Sequence, residues 1–140
     1  MSFGIAVQTA IHGALTAHAP LMALVSGVYD NVPQAADSGD GSAYPYVTIG
    51  EDVHTDWSTD TSLGDDASIT IHTWSRYRGR KETKQIQGAI YDALTRVNLS
   101  VSGYKLVTID FLDEQSFIDT DGLTRHGVST FRVLLDEMES

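Results

Sequence analysis

The side chains that could do chemistry in this 140-residue chain are five histidines, nineteen carboxylates and nine lysines and arginines; there is no cysteine. The lack of cysteine excludes disulfides, thiolate nucleophiles and cysteine-based metal sites. His12, His18, His54, His72 and His126 each lack a His or Glu partner at the i, i+4 spacing of a helical zinc site. His54, beside Asp52 and Asp56, could open a base–carboxylate pair, although a solvated polar loop is the plainer reading. His72 lies close to Trp74 on a strand-like pattern and reads as a packed or interface residue rather than a ligand.

Carboxylates crowd two segments, Glu51, Asp52, Asp56, Asp60, Asp65 and Asp66 in one, and Asp113, Glu114, Asp119 and Asp121 in the other. Calcium takes such oxygens, but Gly122 comes too early for an EF-hand loop and no Glu follows at the required offset, so a turn is expected. Gly39 and Gly41 flank Asp40 without the Lys-Ser or Lys-Thr pair of a phosphate loop. There is no Gly-x-Ser-x-Gly elbow. The residues point to no catalytic constellation, no metal and no cofactor.

Basic charge is scarce and clustered. Arg76, Arg78, Arg80, Lys81 and Lys84 supply five of the nine cations, at a predicted strand–helix junction. The net charge of −10 argues against nucleic-acid binding, which relies on Lys and Arg neutralising phosphates. A salt-bridging seam fits better, with an acidic loop on one subunit meeting the basic junction of the next. Head-to-tail contacts of that kind close into rings when the rotation permits.

The elements that must position these groups follow from periodicity. Ser2 is a plausible N-cap for a first helix carrying Phe3, Val7, Ala10, Ile11, Ala14 and Leu15 on one face. Pro20 suits the first turn of a short helix holding Leu21, Met22, Leu24 and Val25, with Gly27 as its stop. Val28 to Val32 reads as a short strand closed by Pro33, and residues 34–43 as a mobile loop. From Tyr46 to Val53, alternation puts Val47, Ile49 and Val53 on one face and Thr48, Gly50 and Asp52 on the other. The acidic stretch 54–66, whose only large apolar residues are Trp57 and Leu63, reads as a second mobile loop. Ala67 to Ser75 alternates again, with Ile69 and Ile71 opposite Thr70, His72 and Trp74.

Thr83, Ile86, Ile90, Leu94 and Val97 mark the main helix. Gly88 inside it costs roughly 1 kcal/mol against Ala, which a close approach to the sheet would explain. Two long strands, from Tyr104 to about Ile118 and from about Leu123 to Leu135, flank a turn at Asp119-Thr120-Asp121-Gly122. The expected fold is therefore α+β: a single domain over 1–140, with one mainly antiparallel sheet and helices packed on one face. His72 and Trp74 fall on the uncovered face, where a neighbouring subunit is the simplest cover. No signal peptide is visible at the N-terminus. No apolar run approaches the ~20 residues of a membrane span.

Three segments in order carry a resemblance: Tyr44-Pro45-Tyr46-Val47-Thr48-Ile49-Gly50, the strand Ile69 to Arg76, and the helix through Gly79, Glu82, Ile86, Ala89, Ile90, Tyr91 and Leu94. Together they resemble the tail completion proteins of tailed phages and gene-transfer-agent-like particles, also called tail terminators or head–tail joining proteins. The resemblance spans most of the chain and rests on packing and turn positions. It implies a structural, non-enzymatic ring subunit. Such a subunit would form a homo-hexamer that caps the tail tube protein, links it to the head connector or stopper, and lets DNA pass without specific binding. It would sit at the head–tail junction of a virion tail assembled in the host cytoplasm, with no membrane involved. Asp56, Trp57, Asp60, Asp65, Asp66, Trp74, Arg76, Arg78, Arg80 and Lys81 are the expected subunit-interface or channel residues. The competing readings are a different ring subunit (a tube or stopper protein) and a metal-assisted hydrolase built on the Asp/His loop.

Overall fold

A computed structural model describes residues 3–30 and 44–137. The segment 34–43, the end of the expected first strand and Ser2 lie outside the described residues. Helix α1 (Phe3–Ala17) buries Val7, Ile11 and Leu15, the stripe expected from the sequence. Helix α2 (Ala19–Met22) has Pro20 in its first turn but stops at Met22, well before Gly27. Strand β1 is short (Val28–Tyr29), followed by β2 (Tyr46–Asp56) and β3 (Gly64–Ser75). Helix α3 (Lys81–Leu94) then leads to β4 (Tyr104–Ile118) and β5 (Arg125–Glu137).

The five strands form one mixed sheet in the order β1-β2-β3-β5-β4, parallel only between β1 and β2. The β4–β5 turn follows the Asp119–Gly122 expectation: the Gly122 amide donates to the Asp119 carbonyl, and Gly122 takes a φ of 69°. α1 and α3 cover one face. Beneath them Val47, Ile69, Ile71, Phe131, Val133 and Ile109 are almost wholly excluded from solvent. Each such side chain contributes about 1.5–3 kcal/mol of transfer free energy.

Three further sequence expectations fail, each for a local reason. A bulge in β2 between Ile49 and Asp52 shifts the register, so that Asp52 pairs with Ile69 and Val53 with Ser68. Strict alternation assigned these residues to the opposite faces; one extra residue in a strand reverses every side chain beyond it. Val53 accordingly points to solvent. The stretch 54–66 is not a loop, because β2 runs to Asp56 and β3 begins at Gly64, pairing Thr55 with Asp66 and Asp56 with Asp65. Finally, Gly88 lies on the outer side of α3, where an added Cβ would meet nothing within 4 Å. No close approach to the sheet explains it.

Candidate functional site at the two ends of the sheet

β2 and β3 form a hairpin that carries six of the nineteen acidic residues and no Lys or Arg before Arg76. Its turn is held by its own backbone: the Trp57 amide donates to the Gly64 carbonyl (3.1 Å) and the Thr59 amide to that of Ser62 (2.8 Å). Ser58 Oγ donates to Asp56 (2.5 Å) and accepts from the Gly64 amide (3.1 Å). Gly64 is required here, since a Cβ would come within 2.5 Å of the Trp57 carbonyl oxygen. The turn is also tied to the end of β5. Ser62 Oγ donates to Asp136, and the Leu63 amide donates to Glu137 Oε1 at 3.0 Å.

The hairpin's carboxylates are not equivalent. The His54 imidazole bridges two of them, with Nδ1 2.6 Å from Asp65 and Nε2 2.7 Å from Asp52. Burial opposes charge on this ring, but hydrogen bonds to Asp65 and Asp52 outweigh it and raise its pKa. Asp65 is only 3% exposed. Asp66 takes a two-point contact from Arg132, at 2.9 and 2.8 Å, and that guanidinium lowers its pKa. Only Asp56 and Asp60, of the four sequence-predicted aspartates, are exposed on the turn beside Trp57. Both nitrogens of His54 are engaged, so it has none free to act as a base or to bind a metal.

The basic junction lies at the other end of β3. Ser75 is buried there; its hydroxyl donates to Glu82 and accepts from the Tyr77 amide. Gly79, at φ 81°, then turns the chain into α3. Arg76 stacks over the Tyr44 ring at 4.4 Å, and its Nε lies 3.4 Å from Thr124 Oγ1, tying the junction to the β4–β5 turn. Arg78, Arg80 and Lys81 are exposed. Asp121, in the same turn, accepts from the Thr124 hydroxyl and from the Thr124 and Leu123 amides, which lowers its pKa to about 2.

Across the uncovered face one ring from each strand lines up: Tyr29, Tyr46, Trp74, His126 and Phe117. Trp74 stacks on His126 with ring centres 3.9 Å apart, and its Nε1–H donates to Thr48. His72 links this row to Glu51 through a hydrogen-bond chain. With Glu51 ionised, His72 Nε2–H donates to it at 3.1 Å, so His72 Nδ1 accepts from His126 Nε2–H at 2.6 Å. The bond to His72 lowers the Glu51 pKa, while burial and the neighbouring His72 lower that of His126.

Sequence reasoning found the acidic and basic clusters and singled out Trp57, but not the wider set of exposed apolar side chains that accompanies each cluster. Val53, Trp57 and Leu63 at the hairpin end are 42–63% exposed, and Tyr77, Phe117, Ile118 and Leu123 at the junction end are 39–55% exposed. The flanking charges of both groups were legible; their co-location needed the strand register. A separate apolar groove of about 780 Å³ runs between α1 and residues 93–102. Its lining, which includes Ile5, Ala10, Ala14, Ala93 and Leu99, contains no titratable side chain and can do no acid–base chemistry. Among the described residues, no helix is long and apolar enough to cross a membrane.

Comparison with known proteins agrees with this arrangement of surfaces. The family described as tail completion protein gp17 matches residues 9–136. The tail completion protein gp17 of Bacillus phage SPP1 is 30% identical over 131 residues, covering 94% of this chain and 92% of that one. Among solved structures, a chain from the virion of a native gene transfer agent particle superposes with a TM-score of 0.85 at 29% identity, over 96% of this chain and 99% of that one. The structure of the SPP1 gp17 protein superposes at 0.60 with 30% identity, over 96% and 90% of the two chains. The chain thus belongs to the tail completion gp17 family, structural rather than enzymatic proteins of the virion tail.

Proposed function

We propose that this chain forms a six-membered ring that caps the head-proximal end of the completed tail tube and joins it to the head connector. The observation that carries this reading is the near-complete superposition on a chain of an assembled gene transfer agent virion. The exposed groups are consistent with it: they are apolar and charged surfaces at the two ends of a sheet, suited to contacts between proteins. Of the sequence-predicted residues, Asp56, Trp57, Asp60, Arg76, Arg78, Arg80 and Lys81 are the interface or channel residues in this reading. Asp65, Asp66 and Trp74 support them from within the subunit. DNA would pass through the ring unbound, repelled by the negative field of the subunits.

Electron microscopy of particles produced without this gene tests the reading. Filled heads separated from tails, with tails of irregular or excessive length, are the expected outcome. Normally joined particles would sink it.

A further inference from the structure

The two ends of the sheet complement one another. Residues 51–66 contain six carboxylates and no Lys or Arg, whereas residues 76–81 hold four cations and no carboxylate. The two aspartates nearest the basic end are already engaged: Asp121 by the Thr124 hydroxyl and backbone amides, and Asp119 by the Thr120 amide. Each end also exposes large apolar side chains, led by Trp57 and Leu63 at one and by Tyr77, Phe117 and Leu123 at the other. Together the two ends hold more than half of the large apolar side chains exposed among the described residues. Every copy thus carries an apolar knob flanked by the exposed carboxylates Asp56 and Asp60 at one end of the sheet, and an apolar patch flanked by the exposed cations Arg78, Arg80 and Lys81 at the other.

One chain cannot satisfy both ends by itself. β3 has twelve residues and pairs along its whole length with β5, which separates the ends by roughly 40 Å at ~3.3 Å per residue. The seven-residue turn is folded back on Gly64 and pinned to Glu137, so it cannot span that distance. We infer that the hairpin turn of one copy, with Trp57 at its centre, docks on the Tyr77–Phe117–Leu123 end of a second copy. Asp56 and Asp60 then meet Arg76, Arg78 and Arg80 of that copy. This inference rests on the ring reading and specifies its subunit contact. The two patches differ, so the contact is head to tail and closes as a ring when the rotation permits. Because they lie at opposite ends of the strands, the strands must run around the ring rather than along its axis.

The absence of native cysteine makes the test clean. Particles carrying Thr61→Cys and Thr120→Cys in one chain are oxidised and run on a non-reducing gel. A ladder of this chain ending at six copies is expected, with each single-cysteine variant remaining monomeric. Joined particles whose double variant stays monomeric would overturn the docking and leave the ring reading standing. A cross-link to another protein would overturn it too, placing the turn on the tube or connector. Joined particles that lack the chain would remove the ring reading itself.

A charge exchange covers the case in which the cysteine pair fails to assemble. Asp56→Lys with Asp60→Lys, or Arg78→Glu with Arg80→Glu, should each lower the yield of joined particles by about tenfold or more, and the four changes together should restore it to within about threefold. If each pair melts like the parent protein and the combination restores nothing, the inference is wrong.

Discussion

The two faces of the central sheet obey different rules, and β3 shows both. Ile69, Ile71, Thr73 and Ser75 point under the helices and are almost fully buried, while Thr70, His72 and Trp74 point the other way and stay partly exposed. Under the helices the requirement is volume: Phe131 packs at the centre of the layer, edge-on to Phe111 with ring centres 5.7 Å apart. On the open face it is partners, because Glu51, His72, His126, Trp74 and Thr48 each fix the next through a hydrogen bond or a ring stack. Packing of this first kind defines a fold that many functions could use. A hydrogen-bonded row of rings instead fixes the shape of a surface, as docking to another protein requires.

The largest effect is expected on the covered face. Phe131→Ala should cost about 3–5 kcal/mol through lost burial and a residual cavity, read as a shift in the urea midpoint. A cost under about 1 kcal/mol would mean that the layer is not packed as described. Gly127→Ala comes next. Its Cβ would lie 2.6 Å from Gln87 Nε2 and displace the amide that donates to the Gln115 carbonyl at 2.9 Å. A loss of about 1–3 kcal/mol is expected from the overpacking, and Gln87→Ala should relieve part of it. No relief from the second change would place the strain elsewhere.

Gly88→Ala reverses the sign. The position is helical, outward-facing and unobstructed, so stability should rise by about 1 kcal/mol. A loss instead would reveal a neighbour on that face.

The smallest effects are those of pH, and they set two regions of the molecule against each other. The pKa of His54 is raised, so its contribution to the hairpin is fully present below the unfolded value near 6.5 and fades as pH climbs through the folded value. The pKa of His126 is lowered, so the unfolded chain takes up its proton first and the open face loses stability as pH falls below about 6.5. Amide exchange at residues 55–65 should therefore be slower at pH 6 than at pH 8, after correction for intrinsic rates. Amides around Trp74 should show the opposite trend. The first trend should vanish in His54→Gln, and trends of the same sign in the two regions would refute the assignment.

Much of the covered face was legible in the sequence, because its side chains repeat with the period of the element that carries them. Ile86, Ile90 and Leu94 mark α3, and Ile69 and Ile71 mark the buried side of β3. The outer half of the β2–β3 hairpin left no such signal. The helices cover neither side of it, so polar residues occupy both and the alternation disappears, although backbone pairing continues to Asp56 and Asp65. The functional surfaces were half legible for the same reason. The cations from Arg76 to Lys81 adjoin in sequence, but Phe117 and Leu123 reach them only through the pairing of Ser75 with Arg125 and of Ile118 with Arg125.

By itself the sequence determined the class of the domain, the order of its main elements, the turn at Asp119–Gly122 and the separation of acidic from basic segments. These are local properties, set by periodicity, turn chemistry and charge along the chain. Only the tertiary structure decided which carboxylates are held by distant basic side chains, since Asp65 is bound by a histidine eleven residues earlier and Asp66 by an arginine sixty-six residues later. It also decided that a bulge in β2 turns Val53 outward, and that aromatic rings from five strands fall into one row. Such facts depend on register between distant strands, and register is fixed by the packing of the whole sheet rather than by any one segment.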